Sequence, residues 1–324
     1  MKRIIYIRRN PDMNADGTVA YCNALYEMFR EDDDCRAEKV ENYPVWNVPL
    51  MKYIYKPSAL KKAIAQADIV HVNGYTAFGT LQALVYARRM HKTVVYIAHW
   101  HPFKYLSHPV LSEVFFHILF KPVIKACADR IVAINNDDFR FFSSFSNKVI
   151  IIHHWFVPEN TGNHSVQRSK DMILFVGRLN DPIKNFKMLN NIAPDRYEVH
   201  CVGRGDVVLR PDFVRHQNVS REELASLYKQ ASLVVVSSRY EAFSYVAMEA
   251  MSNGTPVLMS DNVRIADFLD GVSGYAVYQQ DNVEDFLQKV DSTIGISVDV
   301  DKVLDIFSAE SAKKEYKKLY LYSK

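Results

Sequence analysis

Long apolar runs are missing from this sequence, and no stretch approaches the roughly 18–20 consecutive apolar residues that a membrane-spanning helix needs. Cysteine is scarce too, and its four residues show neither close pairing nor metal-ligand spacing: Cys22, Cys35, Cys127 and Cys201. We therefore expect reduced thiols and a cytoplasmic protein. The basic start of the chain, Met1–Arg9, has an apolar core that is too short for a signal peptide.

A dominant charge is also missing. The formal net charge at pH 7 is +3, which is too small to favour a nucleic-acid partner. The charges are unevenly spread, since residues 1–165 hold 20 Lys and Arg against 15 Asp and Glu, whereas residues 166–324 hold 20 against 22. A mildly basic, aromatic-rich first half is compatible with an anionic membrane surface or an anionic acceptor, and equally with neither.

The segment from Trp46 to Lys62 mixes aromatic and cationic side chains. Lys52, Tyr53 and Tyr55 belong to it. Such a mixture suits a membrane interface, where rings lie at headgroup depth and lysines meet lipid phosphates. An ordinary surface loop followed by the start of a helix explains it as well. Peripheral contact with an anionic membrane, at its cytoplasmic face, therefore stands as an expectation beside that plainer one.

Strand and helix patterns alternate along the whole chain, without a long antiparallel section. This alternation predicts an α/β protein of two Rossmann-like domains that face a central cleft. A polar stretch over residues 158–170 marks the boundary between them. We expect a first domain at residues 1–157, a second at 158–305, and a C-terminal helix at 306–324 that packs back on the first domain.

The second half is organised around a strand, turn and helix. Leu233–Val236 predicts a buried strand, Ser244 is placed to cap the following helix, and Gly254 stops that helix. A helix N-terminus at the carboxyl edge of a parallel sheet is a place for an anion. The carboxylates of Glu241 and Glu249 lie near that point and are suited to bind hydroxyl groups. The pattern therefore favours a phosphate flanked by sugar hydroxyls.

Cations follow an earlier strand of the same half. Arg178 and Lys184 flank a loop after the predicted strand Met172–Val176, and together they are suited to neutralise a diphosphate. Gly177 would let the backbone approach that ligand closely. A third strand ends at Gly203 and Gly205, which would make room for a nucleobase. Two surface cations and a two-glycine turn are the plainer interpretations.

The first half offers fewer candidates. A loop containing Gly17 follows the first strand, the strand Asp68–Asn73 ends in a polar turn, and another strand runs into His99 and His101. Histidine at a strand end can contact a hydroxyl acceptor or take a proton. We predict a site role for His99 and a packing role for His101, while Gly17 serves either a site or a tight turn. No third residue with zinc-ligand spacing accompanies the histidines.

Acidic residues cluster once, at Glu31–Asp34. We interpret them as a solvated helix end rather than a metal site.

Several segments of the second half together resemble a known family. They are Gly177-Arg178-Leu179, Lys184-Asn185-Phe186, Val202-Gly203-Arg204-Gly205, Glu241-Ala242-Phe243-Ser244, Glu249-Ala250-Met251 and Gly254-Thr255-Pro256-Val257. In order and spacing, over about residues 172–280, they resemble family 4 glycosyltransferases of the GT-B fold, including its Glu-x7-Glu element. The first half resembles that family more loosely, through Gly17, the strand ending in His99, and Asn135-Asn136.

The resemblance implies transfer of a sugar, with retention, from a nucleotide-diphosphate sugar to a cell-surface glycan or a lipid-linked acceptor. It implies that Arg178 and Lys184 bind the diphosphate, that Glu249 holds the ribose hydroxyls and that Glu241 faces the transferred sugar. It places His99, the loop of Gly17 and the turn of Asn73 on the acceptor side. The following backbone N–H groups would meet phosphate or sugar: those of Phe243, Ser244 and Tyr245. No metal or other cofactor is expected, because the two cations and the helix dipole carry the leaving-group charge.

The sequence departs from the family at two places. Ala242 and Ser244 stand where relatives usually carry glycine, and Val263-Arg264 replaces a later pair of glycines. The added bulk leaves the donor sugar undefined. We interpret Arg264 as a surface arginine. Two other functions remain open: a sugar-nucleotide epimerase or hydrolase on the same fold, and a non-catalytic subunit that binds a sugar nucleotide.

Overall fold

A computed structural model describes residues 1–7, 17–38, 45–48, 51–74, 77–99, 102–106, 108–156 and 167–322. The chain forms two compact units. Unit 1 comprises Met1–His154 together with Glu310–Lys324, and unit 2 comprises Trp155–Ala309. The division thus falls three residues before the boundary expected at 157.

Fourteen strands and eleven α-helices are described. The strands are β1 Lys2–Ile7, β2 Cys35–Glu38, β3 Val45–Val48, β4 Met51–Tyr55, β5 Ile69–Asn73, β6 Thr93–Ile97, β7 Arg130–Ala133, β8 Val149–Ile151, β9 Met172–Val176, β10 Glu198–Val202, β11 Val214–His216, β12 Leu233–Val236, β13 Val257–Ser260 and β14 Tyr275–Tyr278. The helices are α1 Gly17–Phe29, α2 Pro57–Gln66, α3 Phe78–Arg89, α4 Pro109–Phe115, α5 Lys121–Cys127, α6 Asn136–Ser143, α7 Arg221–Gln230, α8 Tyr245–Ser252, α9 Val283–Thr293, α10 Val300–Ile306 and α11 Ala309–Tyr322.

Unit 1 is built on a six-stranded sheet in the order β2-β1-β5-β6-β7-β8, and every adjacent pair is parallel. Ile5 and Val70 point to one face, where they share a core with Leu60 of α2, Leu84 of α3 and Ile124 of α5. Helices cover both faces of such a sheet, so its strands are apolar throughout rather than alternating.

The C-terminal helix α11 packs on the opposite face of this sheet. The hydroxyl of Tyr320 lies 2.8 Å from Nδ1 of His71, and the hydroxyl of Tyr316 lies 2.5 Å from that of Tyr21. Burial lowers the pKa of His71 to about 3, so this ring is neutral and needs a hydrogen-bond partner. The predicted packing of the C-terminal helix back on the first domain is confirmed.

Two lysines of α11 also hold this helix in place through ion pairs with Asp32. Lys313 and Lys317 both place Nζ 3.2 Å from a carboxylate oxygen of Asp32, which is buried. Asp32 also accepts the backbone N–H of Cys35 at 3.1 Å. The interpretation of this acidic cluster as a solvated helix end is therefore wrong for Asp32, which anchors α11 instead.

Unit 2 repeats the architecture with a parallel sheet in the order β11-β10-β9-β12-β13-β14. Strand β9 lies between β10 and β12, so the loops that follow these three strands leave the sheet at one edge. A core on each face covers the sheet, one including Leu174 and Val234, the other including Ile173 and Val235.

The local predictions failed mainly at short elements. Two short segments of unit 2 form 3-10 helices rather than α-helices, Phe186–Asn191 and Arg264–Phe268. The edge strands β2 and β11 were missed, as was the antiparallel pair β3-β4 within the aromatic and basic segment. Between α4 and α5 lies a π-helical turn, Phe116–Phe120, and Pro122 follows it in the first turn of α5.

No helix in the described ranges combines the length and the apolar character required to cross a bilayer. All four cysteines are buried and none forms a disulfide.

Substitution of Tyr320 by Phe tests how much the α11 contact contributes. The change removes the hydroxyl that bonds His71 Nδ1, leaving a buried polar atom unpaired. We expect the free energy of unfolding in urea to fall by about 1–3 kcal/mol. Tyr322→Phe on the same helix is the matched control, because Tyr322 is exposed and its substitution should change little. Equal stabilities of the two variants would contradict the role given to Tyr320.

Candidate functional site

The carboxyl edge of the unit 2 sheet collects the residues predicted for donor binding. The loop after β9 carries Gly177, Arg178 and Lys184; the loop after β10 carries Gly203 and Gly205; and the segment after β12 carries Glu241, Phe243, Ser244, Tyr245 and Glu249. Because these strands are parallel neighbours, all three loops lie at the same edge.

Lys184 and Glu241 form an ion pair at this edge. Lys184 Nζ lies 2.8 Å from Glu241 Oε1, and the two side chains are only 24% and 14% exposed. The hydroxyl of Ser238 donates to the other carboxylate oxygen at 3.0 Å. Partial burial makes this pair stronger than an exposed surface pair and holds a cation and a carboxylate in one place.

Backbone contacts set the position of this pair. The N–H of Arg239 donates to the carbonyl of Ile183 at 2.7 Å, and the hydroxyl of Ser237 lies 3.0 Å from the carbonyl of Lys184. These bonds join the loop after β9 directly to the turn after β12. The ion pair is therefore built on two loops that are themselves hydrogen-bonded together.

The turn of Glu241 is also hydrogen-bonded to the segment that follows the next strand, β13. Its N–H donates to Asn262 at 3.1 Å, and its carbonyl accepts from Arg264 N at 2.9 Å. The Arg264 side chain is 16% exposed, donates to the Asp261 carbonyl and lies 3.8 Å from Asp267. The interpretation of Arg264 as a surface arginine is wrong, since the residue packs beside the turn that carries Glu241.

Helix α8 begins directly after this turn. Ser244 is its N-cap, and the Ser244 hydroxyl accepts the N–H of Ala247 at 3.2 Å, as predicted. Ala242 and Phe243 are buried with it. The first N–H groups of a helix point out of its N-terminus, where the helix dipole is positive. The side chains that replace the family's glycines are thus accommodated inward, and Ser244 makes a bond that glycine lacks.

Glu249 lies one turn further along α8. Its Oε2 accepts the hydroxyl of Tyr228, a residue of α7, at 2.9 Å. Burial and the neighbouring Glu249 charge raise the pKa of Tyr228, so this hydroxyl stays protonated and donates. Sequence reasoning missed Tyr228, because nothing in the pattern of α7 distinguishes it from an ordinary core tyrosine.

Arg178 is the most open of the predicted donor residues. It is 71% exposed, and its Nη2 lies 2.5 Å from Asp181 Oδ2. An exposed pair of this kind contributes little to stability and can be exchanged for another anion at small cost.

Close packing explains why glycine is required at two of the three glycine positions in these loops. A Cβ at Gly203 would lie 1.8 Å from the carbonyl oxygen of Gly177, and one at Gly205 would lie 2.6 Å from the side-chain oxygen of Asn180. A Cβ at Gly177 would meet only side-chain atoms, at 3.4 Å or more. Gly203 and Gly205 therefore let the loops after β9 and β10 approach each other, whereas the surroundings leave space for a methyl group at Gly177.

In unit 1 the structure brings together two of the predicted acceptor-side residues. His99 Nε2 lies 3.2 Å from Asn73 Oδ1, and Asn73 also donates to the carbonyl of Ile7 at 3.3 Å. His99 has a φ of +49°, which is uncommon for a residue other than glycine. Its ring lies against Tyr21 at 4.8 Å and stacks on His154 at 5.9 Å.

Gly17 and His101 are the other two candidates of the first half, and the structure adds little about either. Gly17 is the first residue of α1, and His101 lies outside the described residues. Within the ranges described, no three His, Cys, Asp or Glu side chains gather in a group able to hold a metal ion. The expectation of a metal-independent site stays a prediction.

Comparison with known proteins supports the resemblance. Residues 170–295 match the family model of Glycosyl transferases group 1. An uncharacterised glycosyltransferase of Methanocaldococcus jannaschii is 39% identical over 114 residues, which cover 29% of this chain and 28% of that protein. The chain thus spans less than a third of this relative's length. The narrower assignment to family 4 stays a prediction.

Solved structures match over nearly the whole chain. The Anabaena protein HepE, determined in complex with UDP, superimposes with a TM-score of 0.70 at 12% identity and covers 99% of both chains. The lipopolysaccharide outer core galactosyltransferase WaaB, in its apo form, gives a TM-score of 0.66 at 15% identity over 98% of this chain and 99% of that one. These matches confirm the predicted GT-B fold.

Alanine substitution at two glycines tests the packing of the site loops. Gly203→Ala should lower the melting temperature strongly, because its Cβ would overlap the Gly177 carbonyl oxygen. Gly295→Ala is the control, since Gly295 also has positive φ (+84°) but no atom within 4 Å of an added Cβ. That variant should lose only about 1 kcal/mol of unfolding free energy, from backbone strain. Similar losses for both would show that the close approach of the two loops is unimportant.

Proposed function

We propose that this protein is a glycosyltransferase that transfers a sugar from a nucleotide-diphosphate sugar. The observation that carries the proposal is the Lys184–Glu241 pair, half-buried beside the N-terminus of α8 at the carboxyl edge of the sheet. A cation, a carboxylate and a helix N-terminus at one sheet edge suit a phosphate joined to hydroxyl-bearing groups. The family match over residues 170–295 covers these same residues.

The donor diphosphate is assigned to Arg178 and Lys184. Arg178 already pairs with Asp181, and Lys184 already pairs with Glu241. The donor diphosphate would replace these carboxylates as the partner of cations that are already held in position. The exposed Arg178 gives up its partner readily, while the less exposed Lys184 retains most of its orientation. Gly177 lies between β9 and these cations, and the space around it allows a ligand to approach the backbone.

The hydroxyl groups of the donor are assigned to the two carboxylates. Glu249 accepts one bond from Tyr228, and a carboxylate has acceptor capacity for roughly four, so ribose hydroxyls can share it. Glu241 is proposed to face the transferred sugar, with Ser238 holding its orientation.

The reaction breaks the bond between the anomeric carbon and the diphosphate oxygen and forms a bond from that carbon to an acceptor oxygen. The acceptor hydroxyl gives its proton to the departing diphosphate oxygen. We propose retention of configuration, as in the family that the sequence resembles. Arg178, Lys184 and the dipole of α8 stabilise the negative charge that develops on the leaving diphosphate, without a metal ion.

The acceptor is assigned to unit 1 and is proposed to be a cell-surface glycan or a lipid-linked glycan, handled in the cytoplasm. The WaaB galactosyltransferase, which shares the fold, supports an acceptor of the lipopolysaccharide type. His99 and Asn73, hydrogen-bonded to each other at a strand edge, are proposed to contact the acceptor hydroxyl.

Removal of the diphosphate cations should abolish most of the transfer. After a thermal-shift screen of UDP, GDP, ADP and CMP sugars has identified a donor that raises the melting temperature, Arg178→Ala and Lys184→Ala should each reduce transfer by about 100-fold or more. Lys187→Ala is the control, because Lys187 is exposed in the same segment. A double variant with full activity would refute the diphosphate assignment.

Substitution of Glu249 should act on nucleotide binding instead. Glu249→Gln removes the charge, keeps an acceptor for Tyr228 and should weaken binding of the free nucleotide about tenfold, measured by calorimetry. Glu284→Gln, at an exposed position of α9, is expected to bind as the parent does. Unchanged affinity in the Glu249 variant would refute the ribose contact.

Incubation with donor alone separates the remaining functions. Rapid release of free sugar or an epimerised donor without acceptor would indicate a hydrolase or an epimerase. Binding without turnover across a broad acceptor panel would indicate a non-catalytic subunit.

A further inference from the structure

A stripe of large apolar side chains lies uncovered on the surface of unit 1. It consists of Val110, Leu111, Val114, Phe115 and Ile118, which are 75%, 55%, 47%, 44% and 66% exposed. These residues recur at intervals of about four along α4 and the π-helical turn that follows it, so they share one helical face. We call this face the α4 surface.

The exposure does not arise from a loosely attached helix. Phe116 and Phe120, on the other side of the same segment, are buried in the core of unit 1. The Phe116 ring packs against Phe103 at 5.7 Å and Phe141 at 5.3 Å. The buried side fixes the segment, and the α4 surface is thereby held outward. A contiguous apolar patch of this kind marks an interaction site more often than isolated exposed side chains do.

The charge around this surface points to its partner. Residues 51–127, which include α2, α3, α4 and α5, hold 10 Lys and Arg but only two acids, a net charge of +8. Helices α2, α3 and α5 and the π-helical turn that continues α4 contribute to one core on one face of the sheet. Exposed cations of this layer include Lys61, Lys62, Arg88, Arg89 and Lys125.

Unit 1 as a whole holds 25 Lys and Arg against 16 Asp and Glu, whereas unit 2 holds 15 against 21. The unit that carries the apolar stripe therefore has a net charge of +9, and unit 2 has a net charge of −6.

We propose that the α4 surface docks this protein on an anionic lipid bilayer. The five apolar side chains enter the boundary between headgroups and acyl chains, and the surrounding lysines and arginines meet lipid phosphates. A second copy of the chain fits less well, because self-association through this face would bring two layers of net charge +8 together. The proposal stands on this surface alone and is independent of the reaction proposed above.

The position differs from the one that the sequence suggested. The aromatic and basic segment from Trp46 to Lys62 forms the β3-β4 pair and the start of α2, and its Tyr55 is buried in the core. Its Lys61 and Lys62, in α2, contribute to the basic layer. The apolar part of the surface is supplied by α4 instead.

Vesicle sedimentation of the full chain tests the proposal without any donor or acceptor. Vesicles of phosphatidylcholine alone and of phosphatidylcholine mixed with phosphatidylglycerol are compared at low and high salt. We expect binding to the anionic vesicles, weakened by salt. Leu111→Ser with Ile118→Ser should reduce it by about tenfold or more, since two inserted side chains are lost. Lys125→Gln should reduce it by up to about fivefold, on anionic vesicles only.

The matched control is Val208→Ser with Ile296→Ser, which removes exposed apolar side chains from unit 2 and should leave binding unchanged. Melting temperatures check that each variant is folded, and the single Ile118→Ser variant repeats the test with a smaller change.

Absence of vesicle binding, equal binding to neutral vesicles, or full binding by the Leu111/Ile118 variant would overturn the proposal. So would a dimer, seen by sedimentation velocity without lipid, that the same variant dissociates, because a second copy would then cover this surface.

Discussion

Parallel pairing of β9 with β10 on one side and β12 on the other is the constraint on which the candidate site depends. In parallel strands every carboxyl end lies at the same edge, so residues far apart in sequence are brought into one group. Lys184 and Glu241 are 57 positions apart and still meet at 2.8 Å. The close approach of the loops at Gly177 and Gly203 follows from the same pairing, since the Gly177 N–H donates to Val202 at 2.9 Å.

The second organising feature is the way charged and polar groups are held before any ligand arrives. Lys184 is fixed by Glu241, Glu241 by Ser238, and Glu249 by Tyr228. Such groups need little reorientation when they exchange one partner for another, which is the physical content of preorganisation. The same contacts limit the cost of burying these charges, because each is hydrogen-bonded where it is partly withdrawn from water.

Unit 1 depends on a different arrangement, a buried group of aromatic and histidine rings beneath α11. Tyr21 contacts the rings of His99 and His154, and its hydroxyl bonds Tyr316. The C-terminal helix thereby shares packing with the strand end that carries His99. Outside this core, α4 turns apolar side chains to solvent within a stretch, residues 51–127, of net charge +8, so the unit presents both a polar strand edge and an apolar outer face.

The sequence by itself determined the features that repeat locally. Runs such as Leu233–Val236 identify buried strands because parallel strands are covered on both faces, and Ser244 identifies a helix start because a hydroxyl there satisfies an unpaired N–H. The order of these elements was enough for the α/β class and for the resemblance to a two-domain fold. The short edge strands were not predicted, since strands of three or four residues carry too little periodicity to be distinguished from loops.

Only the tertiary structure decided which side chains meet. It paired Glu249 with Tyr228, buried Arg264 beside the Glu241 turn and placed Asp32 against two lysines of α11. It also showed that the carbonyl of a neighbouring loop leaves no space for a side chain at Gly203. It showed as well that Leu111 and Ile118 face outward on a helical segment whose other side packs in the core. Local sequence patterns do not predict such contacts, because the burial and the partners of a side chain are set by strand order and by the packing of segments that are distant in sequence.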